Sequence, residues 1–204
     1  MTTSFRDQVN DFKKERIIEE ASKLFYERGY RGTTLDAIAD RLEVSKPFIY
    51  HHFTGKAELL VEIYTRVLRF SLDAVEEAAK VAGSARHKLR AFAIAYTRLV
   101  IKDQAIVAIF FREEQNLPEA QLDEINRIKG EFDDKLSKLL EDGVKSGEFH
   151  IDDVRLATLA IVGMMSWIYQ WYRADRRLSP EAIAERMADL TEQLVGVAAG
   201  AAVT

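Results

Sequence analysis

Lys46, Pro47, Tyr50 and His51 stand at i, i+1, i+4 and i+5 of a short segment bounded by Ser45 and the Thr54-Gly55 pair, so on a helix they share one face. Ile49 and Phe53, four apart, fall on the other face and with Val44 make its apolar side. The outward set offers a cation, a phenol, an imidazole and small apolar surface, a mixture suited to base edges and phosphates lining a major groove. Other chemistries fit poorly. His51 and His52 are adjacent, so their side chains diverge on a helix, and no third ligand lies nearby in sequence; a metal site is not expected. Neither a nucleophile nor paired carboxylates accompany the histidines, so no enzyme and no cofactor are expected.

A face of this kind needs a second element to hold it. Leu35, Ile38, Ala39 and Leu42 share one side of a short helix that Thr34 caps, and a turn of a few residues joins it to the Lys46 segment. Two short amphipathic helices so joined make a helix-turn-helix. Ahead of them a helix is expected from about 11 to 28, with Ile17, Ile18, Ala21, Leu24 and Phe25 inward and Gly29 as its stop. Behind them, Lys56 opens a longer helix to about Ala79. A break is expected at 81–85, then helical spacing through Leu89, Phe92, Ala93, Tyr96, Leu99 and Val100. Ile106, Ile109 and Phe110 start a helix that ends before Pro118, and a long one follows from Glu119 to Lys145, stopped by Ser146-Gly147. Two more are expected over about 153–174 and 180–197, the last opened by Ser179-Pro180-Glu181, with a frayed tail from Gly200. The fold class is all-α with about nine helices, and no stretch alternates as a strand would.

Composition agrees. With 10 glycines and 3 prolines in 204 residues, there are too few turn formers for a many-stranded β fold. The absence of cysteine excludes disulfides, thiolate-held metals and thiol catalysis, and suits a reducing compartment. Residues Met1 to Asn10 are polar with both charge signs, unlike a secretory signal, so a cytoplasmic protein is expected. The net charge is −4, yet residues 1–56 carry 10 Lys+Arg against 9 Asp+Glu, leaving 19 against 24 in the remainder. Nothing here coats a polyanion indiscriminately; a few placed cations and helix N-termini must do the binding.

The run from Thr33 to Lys56, TTLDAIADRLEVSKPFIYHHFTGK, with the flanking LF, ERGY and AELL, strongly resembles the TetR family of bacterial repressors over about residues 10–60. That resemblance implies double-stranded operator DNA as partner. Thr34 and Lys56 would hold phosphates at helix N-termini, Lys46, Pro47 and Tyr50 would approach bases or thymine methyls, and His51 and His52 would touch the DNA backbone. Two positions depart from the family pattern. Glu43 replaces the glycine usual in the turn, and Phe48 stands where the family often has a small or polar residue, so it either meets a thymine methyl or tucks into the core.

The resemblance divides the chain into a DNA-binding domain, 1–56, and a ligand-binding and dimerisation domain, 57–204. Leu156 to Tyr172 contains no charged residue, but Thr158, Ser166 and Gln170 interrupt it and arginines flank it, so a buried helix is expected and not a membrane span. Ile183, Met187, Leu190, Leu194 and Val197 repeat at four, three, four and three, the spacing of a helix–helix seam. TetR-like proteins dimerise through their last two long helices, which implies a homodimer. Such domains usually enclose an inducer site, and the aromatics Phe92, Tyr96, Phe110, Phe111, Trp167 and Trp171 are candidates to line it. The segments IFFREEQNLPEAQ and WIYQWYRADRRLSPEAIA also resemble a FadR-type subgroup that senses CoA thioesters. The phosphates of such a ligand need cations, for which Arg112, Arg173, Arg176 and Arg177 are placed by sequence. A neutral hydrophobic inducer, and a DNA binder without ligand response, remain as alternatives.

Overall fold

The computed structural model describes residues 4–175 and 177–196. Every regular element among them is helical: α1 (Phe5–Arg28), α2 (Leu35–Leu42), α3 (Lys46–His52), α4 (Lys56–Lys80), α5 (Ala85–Lys102), α6 (Gln104–Arg112), α7 (Glu119–Lys145), α8 (Val154–Ser166), α9 (Ile168–Trp171) and α10 (Pro180–Leu194), with a 3-10 turn at Glu114–Asn116. Only Trp167 separates α8 from α9. Counted as one interrupted helix, they bring the described total to nine.

The chain packs as two compact units. The first takes residues 1–67 and 105–125, the second 68–104 and 126–204. These units do not follow the 1–56 and 57–204 division drawn from the sequence, because apolar packing joins the first turns of α4 and all of α6 beyond Gln104 to the motif helices. In the first unit Ile17, Ile18, Ala21, Leu24 and Phe25 of α1 are buried as their spacing requires, beside Leu35, Ile38, Ala39 and Ile49. Leu59, Leu60, Ile63 and Tyr64 of α4 are inaccessible too, and the Tyr64 ring stacks on Phe110 with centroids 4.5 Å apart while its hydroxyl donates to the Phe110 carbonyl.

In the second unit α10 lies along α5. Arg90 of α5 reaches Asp189 at 2.8 Å, Glu185 at 2.5 Å and Glu192 at 3.3 Å, and Arg86 reaches Glu192 at 2.8 Å. Glu192 is buried, so its two arginines are what make its charge tolerable there. The α5 N-terminus is closed by Glu148, whose carboxylate accepts from the Ala85 and Arg86 amides, both at 3.1 Å.

Helix ends follow local signals. Thr34 accepts from the Ala37 amide at 3.1 Å, Asp153 from Leu156 at 3.0 Å and Ser179 from Ala182 at 3.2 Å. Four boundaries differ from expectation. Helix α10 ends at Leu194, short of the expected 197, with Val195 as its cap. Helix α1 begins at Phe5, capped by Ser4: residues 5–16 hold no glycine or proline to stop a helix, and their apolar residues Phe5 and Phe12 stay exposed, off the face that Ile17 and Leu24 bury. Helix α3 ends at His52, one residue early. The helix expected over 153–174 tightens at Trp167, where the Gln170 amide donates to the Trp167 carbonyl, and it stops at Tyr172, which is extended. Val197 and the tail from Gly200 lie outside the described residues. No described helix is long and apolar enough to cross a membrane.

Candidate nucleic-acid interface

The loop between α1 and α2 sets where the reading elements stand. Thr33 is fully buried, and its hydroxyl donates to the carbonyls of Leu24 at 3.2 Å and Gly29 at 3.0 Å. Lys56, at the start of α4, points its Nζ atom into the same loop. It donates to the carbonyls of Tyr30 at 2.9 Å and Thr33 at 3.1 Å, with Arg31 at 3.5 Å, and lies 4.4 Å from the Tyr30 ring centre. The resemblance gave this ammonium a phosphate; in the structure it ties down the loop that presents Thr34 and the α2 N-terminus. The backbone and hydroxyl of Thr54 both donate to Glu58, at 2.7 and 2.8 Å, which fixes the corner between α3 and α4.

Between α2 and α3 the chain turns on Glu43, at φ 55° and ψ 38°. The Glu43 amide donates to the Asp40 carbonyl at 3.2 Å and the Val44 amide to Ala39 at 3.0 Å, the paired bonds of a Schellman ending. That ending asks for a left-handed residue, hence glycine in the family; here a glutamate adopts it.

Helix α3 is then presented with Ile49 fully buried and Lys46, Pro47, Tyr50 and His51 exposed, Tyr50 by 54%. The four side chains predicted to face outward do so together. Lys46 pairs with Asp36 of α2 at 2.5 Å, which raises its pKa. Both partners are well exposed, so solvent screens the pair and it contributes little to stability.

His52 differs from expectation. It is 9% exposed, its ring lies edge-on to Phe48 with centroids 5.0 Å apart, and burial, then the charges of His51, Lys13 and Lys14, lower its pKa. It is a neutral packing residue, and of the two histidines only His51 faces solvent. Phe48, the second departure from the family pattern, is half-buried against His52, with Lys13 of α1 5.7 Å from its ring centre. Sequence reasoning missed this Lys13–Phe48–His52 cluster. Its signal is the helical register, since Lys13 and Lys14 precede Ile17 and Ile18 by four residues and so continue the buried face of α1.

The residues predicted to hold an effector divide between the units. In the first, Phe110 stacks on Tyr64, Phe111 is exposed, and Arg112 lies over the Tyr26 ring at 5.5 Å. In the second, Phe92 and Tyr96 are buried with Phe132, their ring centroids 5.5 to 6.1 Å apart, and the Tyr96 hydroxyl is 2.9 Å from that of Ser166. Trp171, Arg173 and Arg177 line a cleft of about 250 Å³ with Ile183, and Arg173 donates to the Tyr172 carbonyl at 2.7 Å. Arg176 lies outside the described residues. Trp167 is not interior: it is 59% exposed, in one stripe with Leu156 and Leu159 of α8. The seam residues of α10 divide as well, Ile183 turning inward while Leu190 and Leu194 stay exposed. A cleft of about 850 Å³ with Val75, Ala79 and Leu139 on its walls and Lys88, Lys135 and Lys138 at its edge includes none of the predicted effector residues. Its parts come from α4, α5 and α7, too dispersed in sequence to be recognised.

Comparison with known proteins agrees with this arrangement. Residues 17–63 match the model of the bacterial regulatory proteins of the tetR family, and residues 82–195 match a tetracyclin repressor-like C-terminal domain. The fatty acid metabolism regulator protein of Bacillus subtilis is 27% identical, over 87% of this chain and 93% of its own. The crystal structure of a tetR-family regulator from Rhodococcus RHA1 superposes with a TM-score of 0.84 at 26% identity, covering 92% of this chain and 98% of that one. AibR, solved in complex with isovaleryl coenzyme A and operator DNA, superposes with a TM-score of 0.77 at 26% identity, covering 87% and 97%. The chain therefore belongs to the TetR family and is a DNA-binding, helix-turn-helix transcriptional regulator, not an enzyme.

Proposed function

We propose that the protein is a cytoplasmic repressor that binds a near-palindromic operator as a homodimer and is released by a small hydrophobic effector, an acyl-CoA. The observation that carries the DNA reading is the exposed face of α3, with Lys46, Pro47, Tyr50 and His51 held outward by Ile49 and the Lys56-tied loop. Thr34 and the α2 N-terminus add a place for a phosphate. The dimer is supported by Leu156, Leu159 and Trp167 on α8 and its end, with Leu190 and Leu194 on α10, all exposed in the single chain. Two reading heads so joined take half-sites about one helical turn or more apart. Residues 1–56 carry the reading function and 57–204 the dimer and effector functions.

The effector class rests on AibR, whose complex holds isovaleryl coenzyme A, and on the Bacillus regulator of fatty acid metabolism. Phe92, Tyr96 and Phe132 fill their own space, so an acyl chain enters among them only if they move apart. Binding of that kind favours one conformation over another, which release requires. Arg173 beside Trp171 is the cation proposed to meet the CoA phosphates.

The test is a gel shift on the DNA upstream of the protein's own gene, with Tyr50→Ala beside the parent and a panel of acyl-CoAs, free fatty acids and neutral hydrophobes. Tyr50→Ala is expected to lose about 1–3 kcal/mol of operator affinity. Release by acyl-CoAs and not by free acids, reduced in Arg173→Ala, is the expected pattern. Release by neutral hydrophobes alone refutes the CoA reading, and release by nothing leaves a regulator without ligand response.

A further inference from the structure

Of the five lysines of the first unit, three are engaged, as are several of its arginines. Arg16 pairs with Glu19, Lys23 with Glu20, Arg41 with Glu27 and Glu20, Lys46 with Asp36, Arg66 with Glu15, and Lys56 is held by carbonyls. Lys13 and Lys14 are exposed, and among the described residues neither has a carboxylate partner. They stand directly outside the core, one turn before Ile17 and Ile18 on the face of α1 that is buried further along. Arg6 continues that face two turns further out, seven residues and about 10 Å from Lys13. The Lys13 ammonium lies 5.7 Å from the ring centre of Phe48, on the flank of α3.

That flank has a defined place on DNA. A helix with its side chains is about 10–12 Å across and the major groove is about 12 Å wide, so a helix inserted there fills it. Whatever is packed at its side meets the groove wall, which is the phosphate backbone. Phe48 carries no charge, and burial, then His51 and the two lysines, lower the His52 pKa, so the positive charge at this edge comes from α1.

We infer that the overhanging start of α1 is a second DNA-backbone clamp, in which Lys13 and Lys14, with Arg6 beyond them, hold phosphates along the strand bordering the groove that α3 enters. This rests on the reading of α3 as the recognition helix. The stretch from Arg6 to Lys13 spans the rise of about three nucleotides of one strand. The clamp is blind to sequence, so it strengthens binding to operator and to random duplex alike.

The experiment measures DNA affinity from about 50 to 200 mM salt for the parent, Lys13→Gln, Lys14→Gln and the double variant, on the upstream duplex and on a random duplex of equal length. Each lost phosphate contact flattens the log–log salt slope by about 0.9, or about 1.8 for one substitution in both protomers of a dimer. Over that fourfold salt range, the parent should lose about 12-fold more affinity than either single variant. The ratio of operator to random affinity should stay unchanged, and Lys13→Arg should restore the parent slope. Lys23→Gln, which removes a paired lysine from the same helix, should leave the slope alone, and matching melting temperatures confirm that the variants fold. An unchanged slope in the double variant overturns the clamp while the α3 reading stands, provided Tyr50→Ala still loses operator affinity. A parent that binds neither duplex overturns both.

Discussion

Replacing Glu43 by glycine should stabilise the protein, and the sign follows from one backbone angle. At φ 55° the Glu43 Cβ is crowded against its own carbonyl, an arrangement that costs a non-glycine residue about 1–2 kcal/mol. Glycine removes that strain but loses more freedom on folding, which gives back about 0.4–1 kcal/mol. The Glu43 side chain is exposed and forms no ion pair among the described residues, so little contact is lost with it. Its carboxylate also sits at the negative end of α2, where a negative charge costs about 0.3–1 kcal/mol. The balance is a gain of about 1 kcal/mol, or about 2–4 °C in melting temperature for a chain of this size. Thermal unfolding at fixed protein concentration measures it, with Glu43→Gln as the companion that removes charge and keeps the Cβ. Expected is a clear rise for glycine and a smaller one for glutamine. If glutamine stabilises as much as glycine, the helix-end charge and not backbone strain is the cause. If glycine lowers the melting temperature, the left-handed assignment at this turn is wrong.

Three other outcomes can be measured. Lys56→Met leaves the loop carbonyls of Tyr30 and Thr33 without their charged donor, so stability should fall by about 1–3 kcal/mol; an unchanged melting temperature with a flattened DNA salt slope would show that the ammonium faces phosphate instead. Leu190→Asp should yield monomers in analytical ultracentrifugation at micromolar concentration, and a parent already monomeric there would end the dimer proposal. His52 has a folded-state pKa below the ordinary histidine value of 6.5, so the unfolded chain takes up the proton first and stability falls as pH drops through 6.5 towards the folded value. His52→Gln should remove that part of the acid limb in urea midpoints taken from about pH 7.5 to 5, and identical profiles would mean that His52 is not buried against Phe48.

The fold was legible where apolar spacing and caps coincide. Thr34, Ser179 and Gly147 ended or began helices where their types predicted, and α7 runs from Glu119 to Lys145 as expected, because each has both an apolar stripe and a stop signal. The start of α1 was illegible because residues 5–16 are helical without burying anything. The face of α8 was illegible for the opposite cause. From Leu156 to Tyr172 no side carries a charge, so periodicity could not say which residues turn out. Trp167 therefore read as interior, whereas it stands with Leu156 and Leu159 on a face that the single chain leaves uncovered.

The DNA site was legible as a set of outward residues and not as a set of available charges, and the distinction is physical. Periodicity assigns Lys46, Tyr50 and His51 to one face because the helix repeat alone decides it. Whether a cation on that face is available depends on which carboxylate or carbonyl the tertiary fold brings up. Asp36 reaches Lys46 from ten residues upstream, Glu27 reaches Arg41 across fourteen, and the partner carbonyls of Lys56 precede it by more than twenty. A count of basic residues over 1–56 therefore overstates what is left for DNA. The same contacts identify the lysines left over, Lys13 and Lys14, and place the first of them on the flank of α3. With near-neutral net charge in this stretch, affinity must come from a few such cations standing where the groove wall runs, which is why their removal should register in the salt slope more than in sequence preference.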